Sequence, residues 1–413
     1  MSETATNASD PVEPRQVVLF LQGPVSPFFA ELADALEQRG HTALRINLCF
    51  GDWLFWRRGG ATNFRGRTQD WPSFIAEFLE RRGVTDIVMN GGHRFYHKVA
   101  SAAARARGIR VYVTDFGYLR PDWLTLELDG MSGDSRFPRD LEGIRALAQD
   151  APAVDTRVMY PESFPREAVR DITYHVSNVL MRWRFPGYRS HLPDHPFLIY
   201  PGTGLHLLKA RWAGRKVDRF VARLRTAGTP YWLLPLQLEK DFQLREYSPY
   251  RDMKTPMDEV VRSFAAHAPA EALLLVKVHP LDPMLRNWPR MVRRAAAKWG
   301  VSDRIVFLDG GMLARALEGT RGVVTINSTV GIWALRAGLP VVTLGSAVFD
   351  IPGLTFQGPL DRFWHEAEPP NPAHVDAFTR ALAAQTQIRG GLFSRTGVEA
   401  AVRHAVRRIE NPP

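Results

Sequence analysis

Short apolar strands alternate with amphipathic helices along most of this chain, and the alternation occurs in two separate blocks. In the first block, QVVLFLQG precedes the helical pattern SPFFAELADALEQRG, which is followed by the strand pattern HTALRINLCF. In the second block, ALLLVKVHP, DRIVFLDGG and RGVVTINSTVG indicate strands with helical segments between them. Strands rich in Val and Ile that alternate with glycine-terminated helices are typical of βαβ units, so we predict parallel sheets.

Two such blocks predict an α/β fold of two Rossmann-like domains that face a central cleft, where the strands end. A length of 413 residues is sufficient for two domains. We place a disordered N-terminal arm at residues 1–15, the first domain at 16–190, and the second domain with its closing C-terminal helices at 191–413. The GT-B architecture of nucleotide-sugar glycosyltransferases has this shape. Some epimerases and periplasmic binding proteins share it, so the fold alone does not define the function.

The composition is that of a basic globular protein, in which 53 Lys and Arg residues against 43 Asp and Glu give a net charge of +10. This balance suits nucleic acid, an anionic membrane surface or an acidic substrate. Because no helix-turn-helix, zinc-finger or RNP-like motif is present, we expect no nucleic-acid partner. No apolar run approaches the ~20 residues that span a bilayer. The single cysteine, Cys49, excludes an internal disulfide and favours a cytoplasmic location.

Several motifs of cofactor and metal sites are missing from the chain. There is no G-x-x-x-x-G-K-[ST], no H-E-x-x-H and no pair of C-x-x-C motifs. The segment GTGLHL, which begins at Gly202, lacks the third glycine of a dinucleotide fingerprint. We therefore expect neither a bound cofactor nor a metal ion.

The segment VVTINSTVGIWALRAGLPVV is the strongest local pattern. An apolar strand leads into Asn327, Ser328 and Thr329, and a helix follows that ends at Gly338. Free backbone N–H groups and the helix dipole make such a helix start suitable for a phosphate. The alternative is that Ser328 is only the N-cap of the helix.

The segment VKVHPLDP indicates a second strand end in the same domain, because Pro280 cannot continue a sheet ladder. His279 could donate a hydrogen bond to a phosphate oxygen, and Lys277 would add charge only if it turned toward the same side. A structural hydrogen bond of His279 is the alternative. With Ser328 and Thr329 at a neighbouring strand end, the pattern favours a pocket for a nucleotide monophosphate.

Two further segments supply candidate carboxylates. In PLQLEKDFQLREYSP, the side chains of Gln237, Glu239, Asp241 and Gln243 would share one face if the segment were extended, and paired carboxylates can act as acid and base. A solvated loop is the alternative. In VTDFGYLRPDWLTLELDG, Asp115 stands at the end of the last clear strand of the first domain, followed by Arg120 and Glu127. This pattern fits either catalysis or a plain turn.

Together, these segments resemble the capsule polysaccharide biosynthesis family, in particular its KpsS/LipB type of β-Kdo transferase. The resemblance extends to FLQGPVSPFF, which contains Gly23, and to RINLCFGDWLFW, which contains Trp53, so it covers most of the chain. It implies a GT-B fold, CMP-Kdo as a donor substrate, retention at the anomeric carbon, and a lysophospholipid acceptor at the inner membrane of Gram-negative bacteria. Two departures stand out: Phe116 replaces the second of two acids, and Gly92 stands where an acid is usual.

The resemblance also assigns roles to residues. Retention requires attack from the face opposite CMP, so we expect Asp115, which occupies the family's acidic position, to be the nucleophile. Glu239 or Asp241 would then be the acid/base, with Glu127 as a competitor. Gly23, Trp53 and Arg120 are expected to contact the acceptor or to complete the site. The expected donor-binding residues are Gln237, Gln243, Lys277, His279, Pro280, Asn327, Ser328 and Thr329.

The sequence leaves three functions open. The first is a peripheral-membrane Kdo transferase of the cytoplasmic face, whose expected partners are an anionic phospholipid acceptor and other capsule synthesis or export proteins. In that case Trp53 and the adjacent arginines of GDWLFWRRGG would contact the membrane interface, or else pack in the core at a strand end. The second is a transferase of another CMP-activated acidic sugar, such as a sialic acid. The third is a non-catalytic protein of capsule biosynthesis or export, which the missing acid at Phe116 would favour.

Overall fold

A computed structural model describes residues 15–190, 192, 194–239 and 241–412. The predicted N-terminal arm, apart from Arg15, lies outside the described residues. The first part of the chain forms β1 (Val17–Phe20), α1 (Phe28–Gln38), β2 (Thr42–Asn47), α2 (Phe50–Trp56), β3 (Ala61–Asn63), α3 (Trp71–Arg81), β4 (Asp86–Asn90), α4 (Phe95–Arg105), β5 (Arg110–Phe116), β6 (Trp123–Leu128), α5 (Leu141–Gln149) and α6 (Phe164–Leu180).

The remainder of the chain continues the alternation of strands and helices. It forms α7 (Pro196–Thr226), β7 (Tyr231–Pro235), α8 (Phe242–Glu246), α9 (Lys254–His267), β8 (Leu273–Lys277), α10 (Trp288–Lys298), β9 (Ile305–Leu308), α11 (Leu313–Leu317), β10 (Val323–Thr325), α12 (Val330–Arg336), β11 (Val341–Thr343), α13 (Leu360–Glu366), α14 (Pro372–Thr386), β12 (Gln387–Arg389) and α15 (Arg395–Glu410). Short 3-10 turns lie at Thr68–Asp70, Ser132–Asp134 and Arg182–Arg184.

The strands form two sheets, as the two blocks of the sequence predict. The first sheet has the order β12-β6-β5-β4-β1-β2-β3, and its strands β1 to β5 are parallel. The second has the order β11-β10-β7-β8-β9 and is parallel throughout. The predicted fold class of two Rossmann-like domains is therefore confirmed.

Side chains of the second sheet alternate between two cores, as the two-residue period of a strand requires. Leu233 and Leu275 face the layer that contains α7 and α14, whereas Leu234 and Val276 face α9 and α10. Because both faces are covered by helices, the strands are apolar almost throughout, which explains why the sequence marks them clearly.

The division between the domains differs from the predicted boundary at residue 191. Strand β12 pairs antiparallel with β6 in the first sheet, and α15 packs against α1. Conversely, α5 lies in the core of the second sheet, where Ile144 and Ala148 cluster with Phe378 of α14. The predicted second domain, residues 191–413, thus gives its last helix to the first domain. A three-residue edge strand is too short to predict, and an amphipathic helix does not specify which apolar surface covers it.

The connection between the domains is helical. Helix α6 packs against α2, where the Gly51 N–H donates to Asn178 Oδ1 at 2.7 Å. Helix α7 contains 31 residues and contacts α6 through Tyr200, whose hydroxyl donates to Asp171 Oδ2 at 2.7 Å. Among the residues that the structure describes, no helix is both long and apolar enough to cross a membrane.

Candidate functional site

A cleft of about 500 Å³ lies between the two sheets, at the carboxyl ends of their parallel strands. Ligands of doubly wound sheets bind at this edge because the strands end there and the helices begin. Residues that follow β1, β4 and β5 form one wall, and residues that follow β7, β8 and β10 form the other. We call them the first wall and the second wall.

The second wall is held together by a pair of amides. Gln237 Nε2 donates to Asn327 Oδ1 at 2.9 Å, and the Asn327 backbone N–H donates to Gln237 Oε1 at 3.2 Å. Asn327 Nδ2 also donates to the Gln243 carbonyl at 2.7 Å. Gln237, Gln243 and Asn327 all line the cleft. Three residues predicted from separate segments therefore meet, and their reciprocal bonds fix the loops after β7 and β10.

Ser328 and Thr329 line the cleft immediately before α12. Ser328 Oγ accepts from the Val330 N–H at 3.3 Å, and the Ser328 N–H donates to Thr325 Oγ1 at 3.2 Å. The N-cap of α12 is Thr329, which makes no side-chain capping bond, so Ser328 is not the N-cap that the alternative interpretation required. Ser328 and Thr329 both face the cleft.

His279 lines the same wall, just beyond the end of β8. Its Nδ1 accepts from the Leu281 N–H at 3.1 Å, which places the proton of the neutral ring on Nε2. The turn after β8 therefore sets the tautomer of the neutral imidazole. Pro280 is exposed and is not among the residues that line the cleft.

Lys277 does not reach the cleft. Its ammonium donates to the carbonyl oxygens of Gly310 and Gly311, at 2.5 and 2.9 Å. Burial lowers the pKa of Lys277, and the carboxylates of Asp218 and Asp309 oppose that shift. The condition that Lys277 should turn toward His279 is therefore not met. A buried ammonium needs acceptors, and the turn after β9 supplies them.

On the first wall, Asp115 occupies the end of β5 and faces the cleft. Its Oδ1 accepts from the Phe116 N–H at 2.7 Å. Burial raises the pKa of Asp115, and the Phe116 N–H together with the guanidinium groups of Arg120 and Arg94 partly oppose this. A carboxylate in such a setting is less solvated than one in water and therefore more reactive toward a bound electrophile.

Two other predicted residues of the first wall also reach the cleft. The Arg120 guanidinium lies 4.1 Å from the ring centroid of Phe116, so the residue that replaces the second acid supports this cation. Gly23 lies beyond β1, where an added Cβ would approach Phe29 to 2.7 Å. A larger residue there would disturb α1 as well as the cleft.

Asp241 brings a second carboxylate to the cleft from the opposite domain. It caps α8, with Oδ1 accepting from the Gln243 N–H at 2.9 Å, and Gln237 Nε2 lies 3.5 Å from its Oδ2. Burial raises the pKa of Asp241, and the negative charge of Asp115 raises it further. The negative charge of Asp115 therefore acts on Asp241 across the cleft, and both carboxylates belong to one site.

The other two candidate carboxylates lie away from the cleft. Glu239 pairs with Arg286 at 2.9 Å and accepts from the Met253 N–H at 3.2 Å. Glu127 is buried behind the first wall, where the Tyr118 hydroxyl donates to it at 2.9 Å. Burial raises the pKa of Glu127 to about 7. Because α8 begins at Phe242, the extended geometry that would align Glu239 with Asp241 does not form.

The segment around Trp53 forms a helix rather than the end of a strand. Strand β2 ends at Asn47, and Cys49 precedes α2. Trp56 is buried in the core, whereas Trp53 is half exposed and contacts the ring of Phe50. Trp53 therefore lies on the surface, outside the cleft.

Sequence reasoning missed two groups of residues in the cleft. His93 and Arg94 follow β4, and the His93 Nε2 contacts the Tyr247 hydroxyl of the second domain. Burial lowers the pKa of His93. Their position after the strand DIVMN could have identified them, by the same rule that identified His279. The other group lies on α6, for which no strand end provides a signal: Glu167, Asp171, Tyr174 and His175.

Within the described part of the chain, no three His, Cys, Asp or Glu side chains are grouped so as to hold a metal ion. The expectation that the protein uses no metal or cofactor stays a prediction.

Comparison with known proteins gives a family. A family model for capsule polysaccharide biosynthesis proteins matches residues 85–393. The chain is 31% identical to the capsule polysaccharide export protein KpsS of Escherichia coli, over 90% of this chain and 95% of that protein. It is 30% identical to the capsule polysaccharide modification protein LipB of Neisseria meningitidis, over 94% of both chains. Among solved structures, the β-Kdo 2,7 transferase KpsC of Thermosulfurimonas dismutans matches with a TM-score of 0.46 and 15% identity, over 95% of this chain and 99% of that chain.

Proposed function

Because the chain belongs to the capsule polysaccharide biosynthesis family, we propose that it is a retaining glycosyltransferase that moves β-Kdo from CMP-Kdo to a phospholipid or lysophospholipid. The observation that carries this proposal is the pairing of Asp115 with Asp241 across one cleft, next to a wall suited to a nucleotide phosphate. Transfer of a sugar with retention uses two such groups, one that attacks and one that exchanges a proton.

The second wall is the donor side in this proposal. The imidazole of His279 and the hydroxyls of Ser328 and Thr329 would contact the phosphate of CMP, because all three residues line this wall and carry groups that hydrogen-bond phosphate oxygens. Asn327 and Gln237 would hold the two loops at a fixed separation. Lys277 would act only indirectly, by anchoring the turn after β9.

The chemistry proceeds in two displacements. Asp115 attacks the anomeric carbon from the face opposite CMP, so a carbon–oxygen bond to the carboxylate forms while the bond to the phosphate oxygen breaks. CMP leaves with the bonding electron pair. The acceptor hydroxyl then attacks on the face that CMP vacated, Asp241 takes its proton, and Asp115 is released as a carboxylate. Two inversions give net retention.

The two carboxylates suit these roles for separate reasons. Asp115 belongs to the wall opposite the proposed CMP site, which gives it the required direction of attack. Asp241 lies beside Gln237 on the donor wall, and burial raises its pKa, which favours an acid/base role. This pairing would also explain why Phe116 can replace the second acid of the family pattern, since Asp241 supplies a carboxylate from the other domain.

A single experiment distinguishes the three functions that the sequence left open. The purified protein is incubated with CMP-Kdo or with a CMP-sialic acid, each with a lysophosphatidylglycerol acceptor, and mass spectrometry follows CMP and glycolipid. Glycolipid from CMP-Kdo alone supports the proposal. Glycolipid from the other donor would replace Kdo with a different acidic sugar. CMP binding without product from either donor would indicate a non-catalytic capsule protein.

A further inference from the structure

Large apolar side chains are exposed mainly in one part of the molecule. Of the described residues, ten large hydrophobic side chains between Phe164 and Trp212 are more than a third exposed, against seven in all the rest of the chain. Trp183 is 69% exposed and Trp212 is 83% exposed. Single exposed apolar residues are ordinary, but a concentration on consecutive elements marks an interaction surface.

Each of the two helices in this region carries its apolar residues on its outer face. On α6, Val169, Ile172 and Leu180 follow helical spacing, whereas Tyr174 and His175 are buried on the inner side. On α7, the exposed positions Leu198, Leu205, Leu208 and Trp212 follow the same spacing, and Ile199 and His206 are buried on the other side. We call these outer faces, with Trp183 between them, the α6–α7 surface.

The charge of the α6–α7 surface is positive. Between residues 164 and 216, Asp194 is the only described acidic residue that is exposed, whereas Glu167 and Asp171 are partly buried and line the cleft. The exposed basic residues of the same stretch are Arg166, Arg182, Arg184, Arg189, Lys209, Arg211, Arg215 and Lys216. Apolar side chains interleaved with Lys and Arg complement an anionic bilayer, in which the rings enter the interface and the cations meet phosphate headgroups.

The α6–α7 surface is continuous with the cleft. Helix α6 presents its outer face to solvent and its inner residues Glu167 and Asp171 to the cleft. Trp53 is half exposed on α2, which packs against α6. A lipid headgroup at the bilayer surface would therefore reach the cleft along the side of α6, without leaving the interface completely.

We propose that the α6–α7 surface seats the protein on an anionic phospholipid bilayer, with the cleft opening at the lipid headgroups. This deepens the proposed function, since it assumes that the acceptor is a membrane lipid. Two helices that lie in the interface hold the protein without crossing the bilayer, and the attraction to anionic headgroups weakens with added salt.

The test is binding to phosphatidylglycerol vesicles, with pure phosphatidylcholine vesicles for comparison. We expect the wild-type protein to bind the anionic vesicles at low salt and to dissociate at high salt. The double variant Lys209→Glu with Arg211→Glu should bind at least tenfold more weakly, which equals about 1.4 kcal/mol. The matched control is Arg81→Glu with Arg362→Glu, at exposed positions on α3 and α13. It changes the net charge equally but should bind like the wild type.

A second pair of variants tests the apolar component. Trp212→Ala should weaken vesicle binding severalfold, whereas Trp333→Ala, which removes a partly exposed tryptophan on α12, should not. Circular dichroism verifies the fold of each variant. Equal losses in both charge-reversal variants, or wild-type protein that ignores anionic vesicles at low salt, would overturn the proposal. So would size-exclusion data showing that Trp212→Ala dissociates a dimer, because the surface would then join two copies of the chain.

Failure of the docking proposal can be separated from failure of the proposed function. Transfer to a short-chain lysophospholipid below its micelle concentration does not require a bilayer. The Lys209→Glu, Arg211→Glu variant should therefore transfer normally to that acceptor and poorly to vesicles. A wild-type protein that binds vesicles but transfers to neither acceptor would contradict the function and leave the docking surface supported.

Discussion

The two walls of the cleft are constructed differently. The second wall is a network of neutral hydrogen bonds, in which Gln237 and Asn327 bind each other and Ser328 contacts the first turn of α12. The first wall concentrates charge in a poorly solvated place, with Asp115 beside Arg120 and His93 reaching toward the opposite domain. Hydrogen-bonded amides and hydroxyls fix the loops without the free-energy cost of a buried charge. A buried carboxylate is poorly solvated, which is typical of a catalytic group.

This contrast suggests a division of labour in which the second wall binds and the first wall reacts. Asp241 is the exception, since it is a buried carboxylate on the binding wall and interacts with Asp115. Variants that alter one wall and leave the other intact test whether binding and reaction are separated in this way.

The largest effect is expected for Asp115→Asn. If Asp115 forms the covalent bond to the sugar, transfer should fall by three or more orders of magnitude, or at least about 4 kcal/mol in activation free energy. CMP affinity, measured by calorimetry, should stay close to wild type because the second wall is unchanged. Glu77→Gln, at an exposed acid on α3, is the control and should be fully active.

A second measurement determines which of the two carboxylates, Asp115 or Asp241, is the nucleophile. Mass spectrometry of wild-type protein with CMP-Kdo alone should show a Kdo adduct on the peptide that contains Asp115. An adduct on the Asp241 peptide, or an active Asp115→Asn enzyme, would move the nucleophile to the second wall.

The second effect concerns stability rather than transfer. The pKa of buried Glu127 is raised to about 7 from an ordinary 4.5, so the folded state binds this proton more tightly than the unfolded chain. Its contribution to stability is therefore present below about pH 4.5 and is lost as the pH rises through about 7. Relative to Glu127→Gln, the wild type should lose about 3 kcal/mol of unfolding free energy between pH 4.5 and 8, as measured by urea denaturation.

The Glu127→Gln variant also tests whether the buried carboxyl group of Glu127, behind the first wall, affects only stability or also transfer. Glu127→Gln should transfer at a near wild-type rate, since Glu127 lies outside the cleft. Loss of transfer in this variant at constant stability would bring Glu127 back as a catalytic candidate.

The third prediction addresses the binding wall. His279→Ala and Ser328→Ala should each weaken CMP binding by ten- to a hundredfold, or ~1.5–3 kcal/mol, the usual range for a hydrogen bond to a charged group. Calorimetric titration with CMP provides the measurement. Thermal denaturation of Ser328→Ala accompanies it, because Ser328 Oγ also accepts from the Val330 N–H. Unchanged affinity in both variants would rule out this wall as the CMP site.

The smallest effect on binding is expected for Lys277→Met. The ammonium of Lys277 donates to the Gly310 and Gly311 carbonyls, away from the cleft, so CMP affinity should change less than threefold. The melting temperature should nevertheless fall, because two buried carbonyl oxygens lose their donor. A loss of CMP affinity equal to that of His279→Ala would show that Lys277 reaches the ligand after all.

Residues at strand ends were the most predictable part of the site. Asp115, His279 and Asn327 each stand at the end of a mainly apolar segment that the sequence marks as a strand. All three line the cleft. His93 obeys the same rule after β4. The rule works because parallel strands end at one edge of a sheet, so a position along the chain specifies a position in space.

Residues that lie beyond the strand ends, in the loop after β7 and on α6, were less predictable. Glu239 and Asp241 lie two positions apart, yet α8 begins directly after Asp241, and only the Asp241 carboxylate lines the cleft. The contribution of α6 to the cleft, and its exposed outer face, also had no signal in the chain, because amphipathic helices pack on whatever apolar surface the fold presents.

The sequence by itself determined the parallel strands of the two sheets, the edge at which the site lies, the family and the basic net charge. These follow from hydrophobic periodicity, strand-terminating residues and composition, all of which are local. Only the tertiary structure decided that Lys277 turns away from the cleft, that Asp241 rather than Glu239 shares the cleft with Asp115, and that β12 and α15 return to the first domain. Those outcomes depend on which distant groups satisfy a buried charge or cover an apolar face, and such partners are chosen by packing rather than by neighbours in the chain.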